Sequence, residues 1–120
     1  MSKITFEEFC QSKGVVAEMP EITGVSDKVK KQMLASYIWE FIVETLNNEG
    51  LDKPWEPDYS NDDEDKWELW LDFSPSSGWS LNDVAYWRTH TRCGSRRVFR
   101  TDKIAREAGE NLLHFFTDTF

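Results

Sequence analysis

The side chains of this chain that could do chemistry are few and scattered. Its histidines are His90 and His114, and its cysteines are Cys10 and Cys93. A zinc site needs paired nitrogen or sulfur ligands. Cys93 follows His90 by three positions, but no second pair and no Cys-x-x-Cys exists to complete a set. The same two residues make a poor nucleophile and base, because neighbouring strand positions do not converge and no third group orients the imidazole. The acidic run of Asp58, Asp62, Asp63, Glu64 and Asp65 lacks the fixed ligand offsets, the turn glycine and the closing glutamate of a calcium loop. It reads as a solvated loop, with an acidic surface that mimics nucleic-acid phosphates as the alternative. Gly94-Ser95-Arg96 is too short for a phosphate-cradling loop, although a turn with free N–H groups beside an arginine can hold an anion. No catalytic constellation, metal or cofactor is expected.

Charge is the more informative signal. The chain carries a net charge of −8, yet residues 88–106 hold seven Lys/Arg against one acidic residue, while residues 1–65 hold six against fifteen. The overall field of an acidic chain repels nucleic acid, so any basic surface must be local. Strand alternation over 96–100 places Arg96 and Arg100 on one face with Val98, and they point away from the core if Phe99 points in. Trp70 stands on the polar face of an earlier strand. Trp70, Trp87, Arg92, Arg96 and Arg100 therefore form the candidate binding surface. Trp and Arg are favoured anchors at protein interfaces, so a protein partner is expected first. A single-stranded nucleic acid stacked on the aromatic sheet face is the second possibility. The bland alternative is that these arginines pair with the chain's own abundant carboxylates.

The elements that must position these residues are legible in the pattern. One domain fills residues 1–120. Thr5 with Glu8 makes a capping box, Ile4 and Phe9 are placed for a staple, and Gly14 stops a short first helix. Ser26-Asp27 opens a long helix whose stripe at 34, 38, 41, 42 and 46 is widened by 29, 33 and 37, and Asn47-Asn48-Glu49-Gly50 ends it. A polar connection with Pro54 and Pro57 follows, pinned by Trp55 and Tyr59. Residues 67–73 alternate, with Trp67, Leu69, Leu71 and Phe73 on one face. A turn at 74–78 leads to a second strand from Trp79, bent or bulged from Asn82 onward. Residues 96–100 predict a third strand, and Thr101-Asp102 caps a final helix with apolar residues at 104, 108, 112, 115, 116 and 120. The predicted fold is α+β: a three-stranded antiparallel sheet packed against a long central helix and a C-terminal helix, with a short N-terminal helix, in the order α-α-β-β-β-α.

Taken together, these segments resemble a family of small proteins of no established activity carried by bacteriophages and mobile elements, mostly of the Bacteroidota. The resemblance runs through Thr5-Phe6-Glu7-Glu8, Met19-Pro20-Glu21-Ile22, Glu44-Thr45-Leu46-Asn47 and Trp55-Glu56-Pro57-Asp58-Tyr59. It continues in Lys66-Trp67, Trp70-Leu71, Ser77-Gly78-Trp79-Ser80, Gly94-Ser95-Arg96 with Phe99, and Ala105, Ala108 and Gly109. Glu68-Leu69 replaces the aromatic-Pro pair that the family shows in its first strand, and Arg97 stands where an apolar residue is expected. The resemblance implies a phage or prophage gene product acting in the bacterial host cytoplasm. The protein partner expected from the charge and aromatic pattern is then a host or phage protein, and the alternative use of the acidic surface is as an inhibitor of a host defence protein. Unpaired cysteine spacing and the lack of an apolar run of membrane-spanning length agree with a reduced, cytoplasmic setting.

Overall fold

A computed structural model describes residues 3–58, 60–61, 63–87 and 98–120, with the side chain of Trp87 excluded. Its elements are α1 (Phe6–Lys13), α2 (Asp27–Asn48), β1 (Lys66–Ser74), β2 (Gly78–Trp87), α3 (Asp102–Asn111) and α4 (Leu113–Thr117). The fold class is α+β, as the sequence predicts.

Local chemistry accounts for where the helices start. Thr5 accepts from Glu8 N at 3.1 Å while Glu8 Oε1 accepts from Thr5 N at 2.9 Å, which completes the capping box of α1. Gly14 takes φ 67°, the left-handed conformation that costs a glycine least, and its N–H closes the helix end. Ser26 caps α2 through Val29 N, and Thr101 caps α3 through Ile104 N.

β1 and β2 pair antiparallel around the turn at Ser74–Gly78, with Trp67 opposite Tyr86, Leu69 opposite Val84 and Phe73 opposite Trp79. The register slips between Trp70 and Leu71, where Asn82, the first residue of the stretch expected to bulge or bend, is the extra residue of β2. Because the extra residue lies in β2, β1 keeps its alternation.

Three expectations need correction. The third strand is reduced, among the described residues, to one bridge in which Trp67 and Phe99 exchange backbone hydrogen bonds of 3.0 and 2.8 Å. Arg96 and Arg97 lie outside the described residues. Val98 and Phe99 are both buried, so this segment threads between layers rather than presenting one face to solvent. Second, the sheet does not lie mainly on the long helix. The hairpin packs on α3, and α2 packs on α4 and α3, so the C-terminal helices stand between the other two layers. Gly109 makes that approach possible: a Cβ there would lie 2.7 Å from Leu81 Cδ1 and 3.2 Å from Leu69 Cδ2. Third, the final helix breaks at Leu112, whose φ of −125° is not helical. The break turns the chain so that Leu112 and Phe115 are both buried.

The core joins Phe9 and Cys10 of α1, Trp39, Ile42, Val43 and Leu46 of α2, Val84, Phe99, and Ala105, Ala108, Leu112 and Phe115. Aromatic contacts dominate it. Trp39 stacks on Phe116 at 4.9 Å and meets Phe99 edge-on at 6.2 Å, while Phe6 meets Phe41 edge-on at 5.5 Å. Such pairs add about 0.5–1.5 kcal/mol each beyond area burial.

Candidate functional site

The five sequence-predicted binding residues do not assemble into one described surface. Trp70 is 59% exposed on the outer face of the hairpin. Trp87 pairs through its backbone with Lys66 at the far end of the ladder. Arg92 and Arg96 lie outside the described residues. Arg100 is engaged within the fold. Its Nε donates to Asn47 O at 2.6 Å, its Nη2 donates to Glu49 O at 2.9 Å, and its backbone N donates to Asn47 Oδ1 at 2.9 Å. The last carbonyls of a helix have no intrahelical partner and carry partial negative charge, which a guanidinium satisfies well. Arg100 thus seals the C-terminus of α2. Asn47, itself buried, completes the tie by donating from Nδ2 to Val98 O at 2.8 Å.

Around Trp70 the hairpin is acidic. Alternation along β1 puts Glu68 and Asp72 on the Trp70 face, and Asp83 is its cross-strand partner. Asp72 accepts from Asn82 Nδ2 at 2.9 Å, and Asp83 pairs with Arg106 of α3 at 3.1 Å.

Sequence reasoning missed the larger aromatic feature. Phe73, Trp79 and Phe120 are 60%, 44% and 54% exposed and touch one another, with ring centroids 5.1 Å apart for Phe73–Trp79 and for Trp79–Phe120. Phe120 in turn meets Phe116 at 5.2 Å, so the cluster is continuous with the ring stack on Trp39. Phe73 has the alternation of a core residue and Phe120 the spacing of a helix-face residue. They are exposed because the hairpin reaches past the end of the helical layer. The available signal was their position: Phe73 and Trp79 flank the turn, where a sheet outruns what covers it.

The acidic run folds around a cation. Lys66 is fully buried, and its Nζ lies 3.3 Å from Glu64 Oε1, 3.4 Å from Glu64 O and 3.5 Å from Asn61 O. Glu64 Oε1 also accepts from Asp58 N at 2.8 Å. Ser60 donates to Asp58 from both its hydroxyl and its backbone N, which holds that carboxyl below its ordinary pKa. Part of this run is therefore structural. Among the described residues no group of three or more His, Cys, Asp or Glu side chains could hold a metal ion.

His114 Nε2 donates to Ile4 O at 2.8 Å, which ties α4 to the segment before α1. Cys10 is buried, and desolvation raises its thiol pKa, the opposite of what a reactive nucleophile needs. Cys93 and His90 lie outside the described residues.

One further cleft of about 240 Å³ opens between the second half of α2 and residues 54–57. Glu40, Glu44 and Glu56 line it together with Trp55, Pro54 and Pro57. The loop is hung on the helix end by Trp55 N, which donates to Asn48 Oδ1 at 2.8 Å.

Comparison with protein-family models, with curated proteins and with solved structures finds no match for this chain. Among the described residues no helix is long and apolar enough to cross a membrane.

Proposed function

We propose that this chain is a non-enzymatic protein-binding module, of phage or mobile-element origin, that captures a host or phage protein with the aromatic end of its β1–β2 hairpin. The observation that carries the reading is the exposed, mutually packed cluster of Phe73, Trp79 and Phe120, with Trp70 on the opposite face of the same hairpin. Contiguous exposed apolar surface of this kind marks interaction sites. Rings already packed against one another, and against the core stack, lose little freedom on binding. The charge around the hairpin narrows the partner. Glu68, Asp72 and Asp83 surround Trp70, which disfavours phosphate and favours a protein surface carrying lysine or arginine beside an apolar anchor point. Arg100, the described member of the arginine set, is committed to the end of α2 and is unavailable to nucleic acid.

The test is capture by the tagged chain from a bacterial host lysate, with and without nuclease, read by mass spectrometry. One protein retained in stoichiometric amount in both arms is the expected result. A mixed set of nucleic-acid-associated proteins that disappears on nuclease treatment would overturn it.

A further inference from the structure

We propose that a second copy of this chain docks on α2, the lysine-bearing first turns of each copy's helix entering the acidic cleft beside the second half of the other's. Both halves of this contact are present on one molecule. The acceptor is the cleft of about 240 Å³ beside residues 54–57. The carboxylates of Glu44 and Glu56 in that cleft make no hydrogen bond or ion pair with a described residue. Its walls of indole and proline rings suit the methylene stem of a lysine, and its carboxylates suit the ammonium head.

The donor is the start of α2. Every residue from Asp27 to Met33 is exposed, including the apolar Val29 and Met33. Lys28, Lys30 and Lys31 lie there, and no ion pair to another described residue holds them. At about 100° per residue, fourteen positions return to within about 40° of the same direction, so Lys30 lies on the side of α2 that carries Glu44, while Lys28 and Lys31 point elsewhere. A shallower groove of about 390 Å³, lined by Val29, Met33, Ser36 and Tyr37 among others, runs between donor and acceptor and shares Glu40 with the cleft. Ser36 within it leaves room for close approach.

The two charges cannot satisfy one another within one molecule. Lys30 and Glu44 stand fourteen positions apart on one helix, about 21 Å at the helical rise. A two-fold axis near Tyr37, midway between them, fills both clefts at once. That is the isologous arrangement of a symmetric dimer. The helices then run antiparallel, so their dipoles also oppose favourably. This contact uses none of the exposed hairpin aromatics and does not depend on the partner captured there.

Light scattering over a concentration series reads the outcome. The wild-type chain is expected to pass from 14.1 kDa to twice that mass. The variant Lys28→Glu/Lys30→Glu/Lys31→Glu is expected to stay at monomer mass, as is Glu44→Lys/Glu56→Lys. An equimolar mixture of the two variants restores the dimer as a one-to-one heterodimer. All five positions are exposed, and wild-type-like circular dichroism checks that the variants fold. Monomer mass for the wild type up to about 1 mM, a ceiling that would reveal even a weak association, overturns the proposal. Dimers that survive both charge reversals overturn it too, as does a mixture that remains monomeric.

Discussion

The two halves of α2 share one helix and live in different worlds. From Trp39 to Asn47 the helix is the centre of the core, with Trp39, Ile42, Val43 and Leu46 buried against α1, the C-terminal helices and Phe99. From Asp27 to Met33 every residue is exposed. Below Trp39, a tie to the body is the Tyr37 hydroxyl, which donates to Glu18 O at 2.6 Å. Helix propensity and apolar spacing run through both halves alike. The difference is what arrives in three dimensions to cover them, and that teaches that an apolar stripe specifies a surface to be buried without saying whether the same chain will bury it.

The largest expected effect lies in the covered half. Trp39→Ala should cost about 3–5 kcal/mol, enough to threaten the fold, because its ring joins Phe99 to Phe116. Denaturant titration measures it. Trp39→Phe should recover much of the loss, since the indole Nε1–H is buried without a hydrogen-bond partner among the described residues. A small cost for Trp39→Ala would dissolve the contrast between the halves.

Arg100→Ala should cost about 1–2 kcal/mol by the same titration, because two carbonyls at the end of α2 lose a charged donor. Hydrogen exchange should show the last turn of α2 opening first.

Lys13 sharpens the picture at the other contact of this helix end. It reaches Glu49 at 2.7 Å and Glu107 at 3.3 Å, and the hydrogen bond to Glu49 leads the effects that raise its pKa. The stability it adds is complete below the unfolded value near 10.5 and is lost as pH rises through the higher folded value. Lys13→Met should therefore flatten the alkaline limb of a stability–pH profile. The change should stay below about 1 kcal/mol, since the carboxylates are partly exposed.

The smallest effect belongs to the uncovered half. Val29→Ala and Met33→Ala should each change monomer stability by less than about 0.5 kcal/mol. A loss of 2 kcal/mol or more, as large as a core truncation gives, would mean that this half is covered after all.

Much of this architecture was readable from local chemistry. Thr5, Ser26 and Thr101 act at short range and marked the starts of α1, α2 and α3 correctly. The alternation of Trp67–Phe73 marked β1, and the turn residues marked the hairpin. What was unreadable depended on partners distant in sequence. Arg100 has the alternation of an outward strand residue, and only the arrival of Asn47 and Glu49 beside it turns it into a helix cap. Val98 and Phe99 alternate as strand residues do, yet both are buried because they pass between α2 and β1. Of the candidate surface, Trp70 was legible because its polar neighbours Glu68 and Asp72 share its face. Phe73 was not, because nothing local says where the helical layer stops.

The most direct measurement of hairpin-mediated capture is the affinity of the retained protein for Phe73→Ser/Trp79→Ser beside the wild type. Both residues are exposed, so the variant should fold. Loss of affinity by about 30-fold or more, the size of a central aromatic anchor, is the result that binding through the hairpin requires. Unchanged affinity in a folded variant would contradict it.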